Sequence, residues 1–221
     1  MIRPTNESWT GALTAEGADS SELCRKARAL LQAGQIEPAR RRLLRAMRLD
    51  PRSVEARYLT AVADYASGRL DAARRGFESV LDLDPLHPGA AVNLGAVYNR
   101  LGRYDLAVVH LRRGIQLDPS RAEGYYNLGL AYRRLERLEL AIDAYREALR
   151  RDGRMADAAI NLGNIQLQLG RLAAARLYYL RALAVAPDSE RAAEGLRKVE
   201  AAATRAAVEP TVRFHRRSAD Q

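Results

Sequence analysis

Residues 90–119 read AAVNLGAVYNRLGRYDLAVVHLRRGIQLDP, and this stretch decides the fold. Its closing tripeptide, Leu117-Asp118-Pro119, also stands at Leu83-Asp84-Pro85 and at Leu49-Asp50-Pro51, each copy 34 residues before the next. Further steps of the same length reach Arg151-Asp152-Gly153 and then Val185-Ala186-Pro187. Other landmarks keep this phase. Gly34, Gly68, Gly102 and Gly170 share the fifteenth place of their units, where the fourth unit has Glu136, and Ala39, Ala73, Ala107, Ala141 and Ala175 share the twentieth. Self-similarity at a fixed period in this range marks a stacked array of supersecondary units. The units run 20–53, 54–87, 88–121, 122–155 and 156–189.

Each unit reads as two helices. The first carries apolar residues at helical spacing and ends at the glycine, which tolerates the left-handed geometry of a helix C-terminus. The second follows at once, as from Tyr104 to Leu117, and Asp118-Pro119 stops it because proline lacks an amide donor and clashes with the preceding turn. Gly95, Gly129 and Gly163, with Ala61 and Ala27 in the earlier units, keep one place small so that helices approach closely. Phe77, Leu111, Tyr145 and Tyr179 share the twenty-fourth place and supply the bulk opposite.

This pattern resembles the tetratricopeptide repeat, a 34-residue helix-turn-helix with these small, aromatic and proline landmarks. The resemblance covers residues 20–189 and is strongest in 88–121 and 122–155. Lys26, Thr60, Asp64 and Gln166 depart from it. It implies an all-α, right-handed superhelical solenoid. After Ser189 a further helix over 190–205 is expected to cap the array, with Ala193, Leu196 and Val199 over the last unit. Residues 1–19 and the basic tail 206–221 are expected to be flexible.

Composition agrees with a helical array. Of the 221 residues 48% are hydrophobic and only 6% aromatic, and no apolar run is long enough to span a membrane. The net charge of +9 rests almost wholly on arginine, since Lys26 and Lys198 are the only lysines. Such a bias follows from a GC-rich, bacterial type of coding sequence and is weak evidence for nucleic acid. A single cysteine, Cys24, with no apolar secretion signal at the N-terminus, fits the cytoplasm. Cys24 is expected to be a small, half-buried core residue.

The resemblance also implies a concave groove lined by the first helix of each unit, which holds a peptide or helical segment of a partner. The family's inner-face places carry Asn93, Asn127 and Asn161 in identical register. They are flanked by Asn99, Arg100, Tyr126, Arg133, Arg134, Asn164 and Gln168, with Tyr58 and Tyr65 in the second unit. An asparagine amide donates to and accepts from one peptide unit at once. With equivalent helices roughly 10 Å apart, an extended ligand rising about 3.3 Å per residue would meet one such amide every three residues or so. This ladder resembles the groove of O-linked N-acetylglucosamine transferases. The same asparagines could instead bond a neighbouring helix. The guanidinium groups of Arg100, Arg133 and Arg134 favour acidic ligands.

Positive charge is densest in PARRRLLRAMR, residues 38–48, with Leu43, Leu44 and Met47 expected inward and Arg41, Arg42, Arg45 and Arg48 outward as a basic patch. No aromatic residue interleaves with the arginines to stack on bases, and an arginine-rich chain carries such runs as solvated faces, so neither nucleic acid nor membrane is the expected partner. His87, His110 and His215 share no metal-ligand spacing, and there is no phosphate-binding glycine loop or nucleophile elbow. The chain therefore reads as a non-enzymatic scaffold without cofactor or metal that binds an extended or acidic segment of another protein. The alternatives are a substrate-recruiting subunit of a separate enzyme and an anionic-surface binder acting through 38–48. Self-association would use Trp9 or Phe214 as an apolar anchor.

Overall fold

The computed structural model describes residues 19–218, with side chains to residue 206. The expected flexible N-terminal segment, with Trp9, lies outside the described residues except for Asp19, and so do positions 219–221. Among the described residues there are eleven helices and no strand. They are α1 (Ser20–Gln32), α2 (Ile36–Leu49), α3 (Val54–Ala66), α4 (Leu70–Leu83), α5 (Pro88–Arg100), α6 (Tyr104–Leu117), α7 (Ala122–Arg134), α8 (Leu138–Arg151), α9 (Ala156–Gln168), α10 (Leu172–Val185) and α11 (Glu190–Ser218). From α1 to α10 the bounds repeat without drift, 13 residues for the first helix of each pair and 14 for the second.

The constancy comes from two stop signals. At the end of each first helix the chain turns through a left-handed residue, with φ of +72° at Gly34, +76° at Gly68, +73° at Gly102 and +71° at Gly170. The following amide reaches back to close the last turn, as Arg103 N to Tyr98 O at 2.9 Å and Arg171 N to Gln166 O at 2.8 Å. Glu136 adopts the same geometry at φ 58° without being glycine. At the end of the second helices α2, α4, α6 and α8 an aspartate stands at the turn, and Ala186 takes that place after α10. Asp118 Oδ1 accepts from the Ser120 amide at 3.0 Å and hydroxyl at 2.6 Å, which holds its carboxyl below the usual range.

The described residues fall into two compact units that part between Pro85 and Leu86. In the first, α1 packs on α2, α2 on α3 and α3 on α4. Leu23, Cys24, Ala27, Leu43, Ala46, Ala56 and Leu59 form its core. In the second, the pairs α5/α6, α7/α8 and α9/α10 stack in order, and α11 covers α10 and α9. This is an all-α solenoid of paired helices closed by a capping helix.

Packing follows the small-against-large rule. A Cβ placed on Gly95 would stand 2.4 Å from Leu111 Cγ, one on Gly163 2.8 Å from Tyr179 Cε1, and one on Gly76 2.7 Å from Ala61 Cβ. None of these distances can hold a carbon atom, so these helices meet at a separation that glycine alone permits.

Four local expectations need correction. Leu44 is 48% exposed instead of inward, because Leu43 and Ala46 already fill the inner stripe of α2. Cys24 is fully buried, where half-burial was expected, since it lies in the α1 core stripe between Leu23 and Ala27. The buried seam of α11 is Ala192, Gly195 and Val199, with Ala193 and Leu196 only partly covered. A Cβ on Gly195 would come within 2.2 Å of Tyr179 Cε1, so the cap turns its smallest residue to that ring. Finally, α11 does not stop at 205 but continues to Ser218, through most of the segment expected to be flexible.

Candidate functional site

The groove residues expected from the sequence fall in both units. Tyr58 and Tyr65, of the second repeat, belong to α3 in the first compact unit. Tyr58 is partly buried, its ring tilted against the core ring of Phe77 at 5.9 Å between centroids. In the second compact unit Tyr126 repeats this arrangement two helix pairs further along, 5.9 Å from Tyr145. Burial raises the Tyr126 phenol above its ordinary value, with the Asp157 carboxylate adding to the effect.

Asparagine and arginine on successive first helices are tied in a common register. Asn99 Nδ2 on α5 donates to the Asn127 carbonyl on α7 at 2.8 Å. Arg133 Nη1 on α7 donates to Asn161 Oδ1 on α9 at 3.1 Å. The twelfth place of one unit thus holds the sixth place of the next. Asn127 is partly exposed, and its own amide donates to the Glu123 carbonyl one turn earlier at 2.9 Å. Asn161 is only 3% exposed. Asn93 on α5 is partly buried and Arg100, at the end of α5, is exposed.

Arg133, Arg134 and Gln168 come together. They line one cleft of about 510 Å³ with Glu136 and Leu138, at the ends of α7 and α9 and the start of α8. Arg134 and Gln168 are exposed, and Arg133 is partly buried with further guanidinium donors beyond the one given to Asn161. Two guanidinium groups against one carboxylate give the cleft a net positive lining, suited to a carboxylate. Glu136 and Leu138 were missed in the sequence. Glu136 carried a signal there, as the one non-glycine at its repeat position.

Asn164 is placed elsewhere. It borders a smaller cleft of about 150 Å³ with Ile160, Arg191, Glu194, Gly195 and Lys198, against the capping helix. Its Oδ1 accepts from the Tyr179 hydroxyl at 2.7 Å. Next to it Arg191 pairs with Asp157 at 2.6 Å. On α2, the patch residues Arg41, Arg42, Arg45 and Arg48 are all exposed.

No group of His, Cys, Asp and Glu able to hold a metal occurs among the described residues. His87 caps α5, its Nδ1 accepting from the Ala90 amide at 3.0 Å. His110 stacks on Tyr98 at 5.3 Å. No helix among the described residues is long and apolar enough to cross a membrane.

Comparison with known proteins assigns the architecture. Family models for the tetratricopeptide repeat match residues 30–88 and 126–190, and a model described as TPR repeat matches 95–135. No curated protein matches the chain. Among solved structures, MamA 41-end from Desulfovibrio magneticus RS-1 is 27% identical with a TM-score of 0.65, over 80% of this chain and 99% of that one. PilF of Pseudomonas aeruginosa is 22% identical with a TM-score of 0.68, over 80% of this chain and 88% of that one. YrrB, described as a TPR protein with an unusual peptide-binding site, is 21% identical with a TM-score of 0.62, over 81% of this chain and 92% of that one. The last two likenesses concern the fold.

Proposed function

Because the chain is an array of tetratricopeptide repeats, we propose that it is a non-enzymatic interaction module whose second unit holds an extended, acidic segment of another protein and so helps assemble a complex. We count α1–α10 as five repeats and place the module in the cytoplasm. The observation that carries the reading is the cleft in which Arg133, Arg134 and Gln168 converge. A glutamate or aspartate of the ligand pairs with Arg134 there. Asn127, half-exposed on the same helix, engages the ligand backbone. Asn161 serves this site indirectly, since its buried amide orients Arg133. Asn93, Asn99, Arg100 and Tyr126 extend the same groove along α5 and α7. A module that recruits substrates to a separate enzyme would use the same surface.

Panning the purified chain against displayed random peptides tests the proposal. Recovered sequences should be rich in Asp and Glu, and their binding should weaken with salt because the contact is between exposed charges. Recovery of basic or purely apolar sequences would refute the acidic specificity.

A further inference from the structure

The helix α2 carries a surface that the groove does not use. Its inner stripe, Ala39, Leu43 and Ala46, is buried. The outer face presents Arg41, Arg45 and Arg48 along one line, at spacings of four and three residues, with Arg42 beside them, and all four are exposed. Arg41, Arg42 and Arg48 have no carboxylate of the described residues within ion-pairing distance, and Arg42 bonds only the Pro38 carbonyl, at 3.4 Å. The nearby acids are engaged elsewhere: Glu37 faces Arg40 at 3.3 Å and Arg69 at 3.7 Å, and Asp50 Oδ1 takes the Arg52 amide at 2.9 Å.

Two leucines change the meaning of this face. Leu44, one turn from both Arg41 and Arg48, is 48% exposed, and Leu49, one turn from Arg45, is 57% exposed. A purely basic face needs no apolar groups to bind phosphates. Basic residues alternating with exposed leucines match a surface that is anionic outside and apolar just beneath, which is a bilayer of acidic lipids. A polynucleotide offers phosphates but no apolar layer, and α2 brings no aromatic ring or amide side chain to its bases. The outer face of a helix is convex, so it rests on a plane without a preformed cleft.

We propose that the outer face of α2 docks the protein peripherally on an anionic lipid surface. Arg41, Arg42, Arg45 and Arg48 contact the headgroups, and Leu44 and Leu49 reach into the interface. The contact is independent of the peptide groove in the second unit.

Co-sedimentation of the full chain with phosphatidylcholine vesicles, with and without phosphatidylglycerol, is the test. Binding is expected only with the anionic lipid and should fall as salt rises. Each arginine near such a surface contributes about fivefold in partition, so Arg41→Glu/Arg42→Glu/Arg48→Glu should lower it by more than about a hundredfold. The matching triple lysine variant should retain binding. Leu44→Ser/Leu49→Ser should lower vesicle binding severalfold without changing retention on duplex DNA. All substituted side chains are exposed, so the helical melt should not move, and circular dichroism verifies that. Equal sedimentation with both lipids, no binding at low salt, or undiminished binding of the glutamate variant would overturn the proposal. Tighter retention on duplex DNA than on vesicles, indifferent to the leucine variant, would also overturn it and assign the face to nucleic acid.

Discussion

Gly129 on α7 sits so close to the ring of Tyr145 on α8 that a Cβ there would lie 2.7 Å from both Cδ1 and Cε1. The same place is glycine in the neighbouring units of the array, where Gly95 meets Leu111 and Gly163 meets Tyr179. In an isolated helix, replacing glycine by alanine would stabilise by about 1 kcal/mol. Here the ring must move, which costs about 1–3 kcal/mol and decides the sign. Gly129→Ala should therefore lower stability in a denaturant titration, and Gly129→Leu should prevent native packing of the pair α7/α8.

The two tyrosines at the twenty-fourth place differ in one bond. The Tyr179 hydroxyl donates to Asn164 at 2.7 Å, whereas the Tyr145 hydroxyl is buried without a hydrogen-bond partner among the described residues, and burial pushes its phenol far above the ordinary value. Tyr179→Phe should cost about 1 kcal/mol, while Tyr145→Phe should be neutral or stabilise by about 1 kcal/mol. Thermal melts should show a lowered midpoint for Tyr179→Phe and an unchanged or raised one for Tyr145→Phe.

Glu136 occupies a left-handed turn, φ 58°, that the other four units give to glycine. An L-residue there costs about 1–2 kcal/mol, part of which glycine returns through greater freedom in the unfolded chain. Glu136→Gly should stabilise by about 0.5–1 kcal/mol on balance. Because Glu136 also lines the arginine cleft, the same change should tighten acidic ligands, measurable by anisotropy of a labelled peptide.

Cys24 is fully buried, and desolvation raises its thiol above the ordinary range. An aromatic disulfide reagent near neutral pH should label it at the rate of global or local opening, and denaturant should make labelling immediate. Fast labelling of the native chain would mean that α1 frays from its unit.

Most of the helical frame was legible because the stop signals are local. Gly34, Gly68, Gly102 and Gly170 end four of the first helices through a conformation that few other residues adopt, and Asp-Pro pairs end α2, α4 and α6, with Asp152-Gly153 and Ala186-Pro187 after α8 and α10. The pairing of Gly129 and Gly163 with Tyr145 and Tyr179 was legible for a similar reason, since both members recur in fixed phase. What escaped depends on neighbours distant in sequence. The outward turn of Leu44 follows from Leu43 and Ala46 having filled the inner stripe, and the α11 seam shifted because only Gly195 fits the Tyr179 ring. In the candidate cleft, register alone had put Arg133, Arg134 and Gln168 on the inner face of successive first helices. Leu138 carried no signal, because it reaches the cleft only through the turn at Glu136. Asn161 is buried and partnered by Arg133 one repeat earlier, a cross-repeat contact that periodicity alone cannot weigh.

The most direct test of the groove assignment is the affinity of the full chain for an acidic peptide recovered by panning, measured beside the Arg134→Glu/Gln168→Ala variant. Both side chains are exposed, so the variant should melt within about 0.5 kcal/mol of the parent. The groove account predicts that it binds at least about tenfold more weakly, through loss of a charge-assisted contact. Equal affinity of parent and variant would contradict it.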